Sequence, residues 1–364
     1  MKINLIIFIS EFNLGGAGNS LFKLCRSLPK KKFLITVLCL KECFYKSKLN
    51  KLGIKVIEIN SNKTFFAMTK IKEKVKGLIK KNQKNIFLSN IHFSNVLSVI
   101  FLKSLNIKIA LVERTPFQEL FIYYNFLDFV KKNIIKILIK FTFNKADICI
   151  SNSKYISNKY NKFYNLKFVT IHPPSFKKLY VNRKKRKLIN KIKCFGIVSR
   201  LSKEKKIDEI IKIIFETNIN IILKIVGDGP EEKKLKSLTK KLKLEKKIKF
   251  LGRRNPEKIK SIMKEFDYFL NNSDFEGFPN SVVEALSAGV PVIAKQSHGG
   301  INDMIKNKDY GIIYNNDNEL KTILKKISQN ELSFRINYKL LFKHLNNFSE
   351  IKSVDGYQKC LKNI

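Results

Sequence analysis

The sequence predicts an α/β protein made of two doubly wound, Rossmann-like domains that face each other across a cleft, and three observations lead to this fold class. Short apolar or β-branched runs alternate with longer amphipathic ones along most of the chain, as in parallel sheets built from βαβ units. The length of 364 residues suits two ordinary domains, each with its own core. The apolar fraction of 44% is that of a globular protein.

The strand candidates fall into two groups, one in each half of the chain. Segments between them have helical spacing, for example Leu21, Leu24 and Leu28. The first group comprises Leu5–Ile9, Leu34–Leu40, Lys55–Ile59, Ile86–Ser89, Ile107–Val112, Ile148–Ser151 and Phe168–Ile171. The second group comprises Cys194–Val198, Ile221–Val226, Ile248–Leu251, Tyr268–Leu270, Val290–Ala294 and Gly311–Ile313.

The boundary between the halves is predicted near His172-Pro173-Pro174, because two prolines stop local structure. The basic run 183–187 follows, and its composition is typical of a solvated connector. We expect an N-terminal Rossmann-like domain over residues 1–175, a linker over 176–191 and a C-terminal Rossmann-like domain over 192–345. Ligands of such sheets bind beyond the carboxyl ends of the strands, so both domains are expected to contribute to one site.

The formal charge of +43 has two interpretations. A basic protein can be drawn to nucleic acid, to acidic lipid head groups or to anionic substrates. The lysines run along the whole chain, however, together with abundant Ile, Asn and Phe and no Trp, which favours a compositional bias. A nucleic-acid binder more often concentrates its charge on one face, so no specific nucleic-acid partner is expected.

Cysteine usage and hydropathy favour a cytoplasmic protein. The six cysteines form no C-x-x-C pair and no zinc-type spacing, which indicates free thiols in a reducing compartment. The N-terminal run MKINLIIFIS is interpreted as a first strand, because a glycine-rich loop follows it in place of a cleavage site. A membrane-spanning helix is not expected, because no run of about 18 uncharged apolar residues occurs.

Two of three candidate sites follow predicted strands directly. In the first, Gly15 and Gly16 open a loop before a helix, where backbone amides can approach an anion, although such a turn is equally common as a structural feature. In the second, Arg200 and Lys205 supply a guanidinium and an ammonium that can neutralise a diphosphate. An ordinary basic helix start remains the alternative for this pair.

The third candidate is the stretch from Asp274 to Leu286, which carries two carboxylates, Glu276 and Glu284, in a loop and in the helix that follows. The loop glycine and the first amides of the helix can present several hydrogen-bond donors at one point. Ser281 with Glu284 also fits an S-x-x-E capping box, which would make Glu284 a structural residue. A cap does not explain Glu276.

Residues 273–294, SDFEGFPNSVVEALSAGVPVIA, resemble the signature of the retaining glycosyltransferases of family 4, which have the GT-B fold. The family's Glu, seven residues, Glu pattern is met by Glu276 and Glu284, and Arg200 and Lys205 resemble its diphosphate-binding pair. Phe348-Ser349 and Tyr357 resemble the last helix, so that residues 346–364 are expected to pack back on the N-terminal domain. The resemblance spans nearly the whole chain and is more specific in the C-terminal half.

The resemblance implies roles on the donor side. Glu276 would bind hydroxyls of the donor sugar, Glu284 the ribose, and Arg200 with Lys205 the departing diphosphate. The further donor-binding residues that it implies are Gly277, Phe278, Asn280, Ser281, Arg253 and His298. Because protein groups neutralise the charge, no divalent metal and no cofactor are expected.

The acceptor side departs from the family pattern at the end of the fifth strand. Many members have a histidine there, whereas this chain has Val112-Glu113-Arg114-Thr115-Pro116, which resembles the S-E-R-N variant of members that extend surface polysaccharides. Glu113 and Arg114 are therefore expected to line the acceptor pocket with Gly15, Gly16 and His92. His92 is otherwise a structural residue of the core.

The function that the resemblance implies is transfer of a hexose or N-acetylhexosamine, with retention, from a nucleotide sugar. The donor is expected to be UDP-linked, with a guanosine donor as the other possibility. The acceptor would be a glycan or a lipid-linked saccharide in the synthesis of cell-envelope polysaccharide such as lipopolysaccharide. The alternatives are a non-catalytic basic GT-B-like protein that binds membrane or nucleic acid, an inverting transferase, and a sugar-nucleotide epimerase.

Residues 117–143 mix aromatic residues with lysines, and Ile134, Ile135 and Leu138 are predicted to lie on one helical face. A basic, aromatic-rich amphipathic helix can lie on anionic lipid. The sequence therefore predicts a cytoplasmic protein that binds peripherally to the inner face of the cytoplasmic membrane. A core-packed helix with a solvated basic face is the alternative.

Overall fold

The structure is a computed structural model that describes residues 2–177 and 192–364. The chain divides into two compact units, Met1–Lys177 with Phe348–Ile364 and Lys178–Asn347. Residues 178–191, which hold most of the predicted linker, lie outside the described residues.

The first unit is a parallel seven-stranded sheet in the order β3-β2-β1-β4-β5-β6-β7. Its strands are β1 Ile3–Ile9, β2 Phe33–Cys39, β3 Lys55–Glu58, β4 Lys84–Asn90, β5 Lys108–Glu113, β6 Ile148–Ser151 and β7 Phe168–Thr170. Its helices are α1 Gly16–Ser27, α2 Lys46–Asn50, α3 Thr64–Leu78, α4 His92–Leu102, α5 Phe126–Thr142, α6 Lys154–Tyr164 and, at the end of the chain, α14 Glu350–Asn363. The strand order reverses between β1 and β4, as in doubly wound sheets.

Each face of this sheet is buried by its own set of helices. Along β1, Ile6 and Phe8 face a core that includes Ile71 of α3, and the alternate residues Leu5 and Ile7 face a core that includes Leu24 of α1. Residues two apart share a face of a strand, so an apolar run buries both faces. This explains why the strands read as continuous apolar runs in the sequence.

The second unit is a parallel six-stranded sheet in the order β10-β9-β8-β11-β13-β15, with a separate two-stranded sheet of β12 and β14. Its strands are β8 Lys193–Val198, β9 Ile221–Val226, β10 Ile248–Gly252, β11 Tyr268–Asn271, β12 Phe275–Glu276, β13 Val292–Lys295, β14 His298–Gly299 and β15 Gly311–Tyr314. Its helices are α7 Ile207–Thr217, α8 Glu232–Lys241, α9 Pro256–Met263, α10 Asn280–Ser287, α11 Ile301–Met304, α12 Asp317–Ser328 and α13 Tyr338–Leu345. The α/β class and the parallel sheets are confirmed, and β12 and β14 are additional.

Helix α14 packs on α1 in the first unit. The Nη2 atom of Arg26 lies 2.8 and 2.7 Å from the two carboxylate oxygens of Glu350, and the Ser27 hydroxyl donates to the same carboxylate at 2.9 Å. Val354 and Tyr357 complete the contact by joining the apolar core on that face. Because Glu350 is buried, its carboxylate needs these donors.

Helix α5 differs from the sequence prediction in the face that it buries. Ile135 and Ile139 point inward and are buried, whereas Ile134 is half exposed. The prediction that Ile134, Ile135 and Leu138 share one face was wrong, because neighbouring positions are about 100° apart on a helix and the core takes the Ile135 side. Among the helices of the described ranges, none is both long and apolar enough to cross a lipid bilayer.

Candidate active site

Glu276 is the last residue of the short strand β12, in the connection between β11 and α10, and two donors fix its carboxylate. The Lys205 ammonium donates to its Oε1 atom, and the Ser273 hydroxyl donates to the same oxygen at 2.8 Å. The side chains of Glu276 and Lys205 are largely buried. A charged pair removed from water in this way has a defined geometry, which suits a group that must orient a ligand.

The backbone of Glu276 is held by a second loop, and this contact requires a glycine. β12 pairs with β14, so that Glu276 lies opposite Gly299. A Cβ atom on Gly299 would lie 1.5 Å from the Glu276 carbonyl oxygen, and its φ of +157° is a conformation that other residues rarely adopt. His298 precedes this glycine, lies opposite Phe275 and is exposed.

A second charge cluster lies directly before Glu276, around Asp274. Lys295 donates to Asp274 at 2.8 Å, and the Lys206 ammonium lies 3.6 Å from the other carboxylate oxygen. Burial alone would lower the pKa of Lys295, but the hydrogen bond to Asp274 and the charges of Asp274 and Glu209 outweigh it and raise the pKa. The Lys206 ammonium lies 3.6 Å from Asp274 and 3.2 Å from Glu209, whereas Lys205 pairs with Glu276.

Arg200 follows β8 and is exposed. Within residues 2–177 and 192–364, its guanidinium has no hydrogen bond or ion pair, so the charge remains available to an anion. Its neighbours in the chain are fixed by the loop after β9: the Leu201 N–H donates to the Asp228 carbonyl at 2.8 Å, and the Ser199 N–H donates to the Val226 carbonyl at 3.1 Å.

The loop after β9 is a part of the site that the sequence analysis missed. Cβ atoms on Gly227 and Gly229 would lie 1.8 and 2.3 Å from the carbonyl oxygens of Ser199 and Leu201, so the two backbones touch only because both positions are glycine. The signal was present as Gly-Asp-Gly-Pro directly after a predicted strand. Arg253, in the turn after β10, lies 3.5 Å from the Asp228 carboxylate, and both side chains are exposed.

Helix α10 begins at Asn280, with Pro279 as the residue before it and no side-chain cap. The capping-box alternative was therefore wrong, because Ser281 is already inside the helix and Glu284 lies a further turn along. Gly277 and Phe278 are buried, and Asn280, Ser281 and Glu284 are partly exposed. The first amides of the helix provide positive potential near the Glu276 loop.

In the first unit, the glycine loop ends at the start of α1. Gly15 is the residue before the helix, its N–H donates to the Asn13 side chain at 3.0 Å, and no side chain caps the helix. Gly15 and Gly16 are exposed. A Cβ on Gly18 would lie 2.0 Å from the Asn13 carbonyl oxygen, so the turn itself depends on a glycine. The helix N-terminus is open to an anion.

Glu113 and His92 meet at the carboxyl ends of β5 and β4. Glu113 is fully buried, and its Oε1 atom accepts from the N–H groups of Arg114 and Thr115, each at 3.0 Å. The Nδ1 atom of His92 lies 3.9 Å from the same oxygen. In the described part of the chain, His92 Nδ1 and Glu113 Oε2 have no hydrogen-bond partner.

Both groups of this pair are neutral near pH 7. Burial raises the pKa of Glu113 to about 8. Burial, with the positive charges of Lys132 and Lys131, lowers the pKa of His92 to about 4. A buried group keeps its uncharged form when the low-dielectric surroundings penalise the charge more than its neighbours stabilise it.

The backbone beside this pair is strained. Ile91, which precedes α4, has a φ of +76°, which is rare for a β-branched residue. Its N–H donates to the Val112 carbonyl at 3.0 Å, and Arg114 Nε donates to Asn90 Oδ1 at 2.8 Å. These bonds hold His92 and Arg114 at the ends of their strands, where the sequence analysis placed them. Their contact with an acceptor stays a prediction.

In the part of the chain that the structure describes, no group of three or more His, Cys, Asp or Glu side chains is arranged to hold a metal ion. The six cysteines are free thiols.

Comparison with solved structures identifies the fold first. Anabaena HepE, solved in complex with UDP-glucose, matches with a TM-score of 0.80 at 18% identity over 100% of both chains. At this identity the likeness shows the fold alone, which is GT-B with two Rossmann-like α/β units.

A family model matches most of the second unit. Residues 181–339 match the family model described as Glycosyl transferases group 1. The matched segment contains the Glu276 motif, and the match agrees with the family resemblance that this motif indicated.

Curated relatives agree with this family. An uncharacterized glycosyltransferase of Haemophilus influenzae is 25% identical over 86% of this chain and 84% of its own length. The N-acetylgalactosamine-N,N'-diacetylbacillosaminyl-diphospho-undecaprenol 4-alpha-N-acetylgalactosaminyltransferase of Campylobacter jejuni is 28% identical over 60% of each chain. A match to a glycosyltransferase subunit of Streptococcus agalactiae spans 32% of that protein. The roles of individual site residues stay predictions.

Proposed function

We propose that this protein is a metal-independent, retaining glycosyltransferase that moves a hexose or N-acetylhexosamine from a UDP-linked sugar to a glycan or lipid-linked saccharide. The observation that carries the proposal is the Glu276 carboxylate, which Lys205 and Ser273 fix in a tight loop against Gly299. A carboxylate held in this way can accept hydrogen bonds from sugar hydroxyls in one orientation. The reaction would serve the synthesis of cell-envelope polysaccharide.

The charges of the second unit support the departure of a diphosphate. The acceptor oxygen forms a bond to the anomeric carbon as the bond from that carbon to the diphosphate oxygen breaks. The proton of the acceptor passes to a diphosphate oxygen on the same face, which retains the configuration. Negative charge then grows on the diphosphate, and the exposed Arg200 guanidinium and the Lys205 ammonium are the groups that would stabilise it.

The relatives support the substrate classes of this proposal. The Anabaena structure holds UDP-glucose, and the name of the Campylobacter enzyme describes a saccharide carried on diphospho-undecaprenol. A donor with a uracil nucleotide and an acceptor on a lipid carrier are therefore the first substrates to test. A lipid carrier would place the protein on the inner face of the cytoplasmic membrane.

The donor is tested by thermal shift and hydrolysis with a panel of UDP- and GDP-linked sugars. A donor that binds the folded protein raises its melting temperature by mass action, so one nucleotide sugar should protect the protein and be hydrolysed. Glu276→Ala should lower turnover by about 100-fold or more, whereas Glu245→Ala, at an exposed position of the same unit, should leave it unchanged. Full activity in Glu276→Ala would contradict the proposal.

The same assay separates the alternatives. A non-catalytic basic GT-B-like protein would bind membrane or nucleic acid, and no nucleotide sugar would be consumed. The anomeric configuration of the product, read by NMR, distinguishes a retaining from an inverting transferase, and an epimerase would return a nucleotide sugar of different stereochemistry. Turnover that survives EDTA supports metal independence, and turnover restored only by added Mg²⁺ or Mn²⁺ contradicts it.

A further inference from the structure

The outer face of α5 exposes an unbroken line of apolar side chains. We call this set the α5 stripe; its members are Leu127, Val130, Ile134, Ile137 and Phe141. Positions that alternate three and four residues apart lie on one side of a helix. Leu127 is 80% exposed and its neighbour Phe126 is 76% exposed, which is unusual for residues of this size.

The inner face of α5 fixes this orientation. Ile135 and Ile139 are buried in the core of the first unit, and α5 packs on α4. The Lys132 ammonium is also turned inward, where it donates to the Ile122 carbonyl at 2.6 Å and lies 3.0 Å from Asp128. The helix cannot rotate to bury the α5 stripe without losing these contacts.

Lysines border the α5 stripe. Lys131 lies on one side of it, Lys140 lies on the other, and Lys145 lies just beyond the end of the helix; all three are exposed. We call them the flanking lysines. The only acidic residue of α5 is Asp128, and it pairs with the inward Lys132. The exposed side of the helix is therefore apolar in the middle and positive at its edges.

Two occupants fit an apolar line of this spacing, and the charges decide between them. A second copy of this chain would bring its own flanking lysines against these, and like charges that face each other oppose pairing. An anionic lipid surface presents the opposite charge to every flanking lysine, and the net charge of +43 adds to the attraction.

We propose that α5 lies flat on an anionic lipid bilayer, with the α5 stripe in the acyl-chain boundary and the flanking lysines at the phosphate level. The helix has 17 residues, about 25 Å, which is enough for an in-plane anchor. The exposed Tyr124 and Phe126 at its start suit the head-group region, where aromatic rings are enriched. The inference rests on the proposed function only in that such docking brings the enzyme to a lipid-linked acceptor.

Vesicle flotation tests the docking with the full-length protein. The probes are phosphatidylcholine vesicles with and without about a third phosphatidylglycerol, an anionic lipid. Two variants remove the two parts of the surface. The apolar variant is Leu127→Ser with Ile134→Ser and Ile137→Ser, and the charge variant is Lys131→Glu with Lys140→Glu and Lys145→Glu.

Each variant has a matched control on an exposed surface elsewhere. The apolar control is Phe215→Ser with Leu340→Ser and Ile351→Ser, at three exposed apolar positions. The charge control is Lys233→Glu with Lys240→Glu and Lys241→Glu, at three exposed lysines of α8. Circular dichroism verifies that every variant is folded, and hydrolysis of the nucleotide sugar is measured in solution without vesicles.

The wild type should float with anionic vesicles and remain unbound with neutral ones. The charge variant should lose on the order of 100-fold in partition coefficient, and the apolar variant about tenfold or more, while both controls change by less than about threefold. Equal flotation of the α5 variants and the wild type would overturn the inference. So would equal losses in variants and controls, because binding would then be diffuse.

Three further outcomes are separable. A wild-type dimer in light scattering that the apolar variant converts to a monomer would identify a second copy as the occupant and overturn the inference. If no protein hydrolyses a nucleotide sugar but the wild type still floats and the α5 variants do not, the proposed function fails and the docking stands. If the wild type is active but its α5 variants float unchanged, the docking fails alone.

Discussion

Replacing Glu113 with glutamine removes an ionisable group from the centre of the first unit and keeps its shape. Glutamine retains a carbonyl oxygen that can accept from the N–H groups of Arg114 and Thr115, as Glu113 Oε1 does. The substitution therefore isolates the charge of Glu113 from its packing. A folded protein that contains Glu113 must keep a proton on it, or hold an unneutralised carboxylate in a fully buried position.

The size of the effect on the free energy of unfolding follows from the pKa of Glu113 in the unfolded and the folded chain. Burial raises the pKa of Glu113 from its ordinary 4.5 to about 8 in the folded protein. Because the folded state binds the proton more tightly, stability is greatest below pH 4.5 and is lost as the pH rises toward about 8. Relative to an unshifted group, this lowers the free energy of unfolding by about 2 kcal/mol at pH 6, about 3 kcal/mol at pH 7 and about 4 kcal/mol at pH 8.

Urea unfolding followed by circular dichroism at these three pH values measures the effect. The advantage of Glu113→Gln over the wild type should grow by about 2 kcal/mol from pH 6 to pH 8. Glu73→Gln, at an exposed position of α3, is the control and should show no such trend. A difference between Glu113→Gln and the wild type that does not change with pH would refute a raised pKa at Glu113.

Three other perturbations test the packing and charges of the two units. Lys205→Met should lower turnover by about 100-fold or more, because Lys205 pairs with Glu276. Lys206→Met should lower turnover by less than about tenfold, because the Lys206 ammonium pairs with Asp274 and Glu209. Equal losses in the two variants would contradict this assignment of partners. Gly299→Ala should lower the free energy of unfolding of the second unit by about 2–4 kcal/mol, because the added Cβ would clash with the Glu276 carbonyl oxygen. Gly77→Ala, where an added Cβ meets no atom, should raise the free energy of unfolding of the first unit by about 0.5–1 kcal/mol. Calorimetry that shows the same effect for both variants would refute the steric argument. Glu350→Gln should destabilise the first unit by about 1–3 kcal/mol in urea unfolding, because Arg26 of α1 loses its charged partner. An unchanged unfolding midpoint would show that the apolar contacts alone hold α14.

The regular elements of the fold could be predicted from sequence pattern. Every predicted strand is present in the structure, within two residues at each end, because parallel strands buried on both faces must be continuous apolar runs. The two strands that the prediction lacked, Phe275–Glu276 and His298–Gly299, are two residues long and have no pattern of their own. They form only because the loops after β11 and β13 pair with each other.

Sequence rules that use only neighbouring residues gave wrong predictions where several contacts compete for one residue. Ser281 and Glu284 satisfy the capping-box pattern, yet the helix begins at Asn280 and Ser281 is already its second residue. In α5, apolar residues occupy both faces, so periodicity alone could not tell which face the core buries, and Ile134 was assigned to the wrong group. The Gly227–Gly229 loop could have been found, because two glycines and a proline after a strand are a recognisable signal.

By itself the sequence determined the α/β class, the order of the strands along the chain, and the motif at residues 273–294 that resembles the family signature. These are local properties, set by periodicity and by a motif that is continuous in the chain. Only the tertiary structure decided that Lys205, and not Lys206, pairs with Glu276, and that Glu113 lies buried beside His92. Such pairings join residues far apart in sequence, and burial, which fixes their charge, is a property of the folded chain alone.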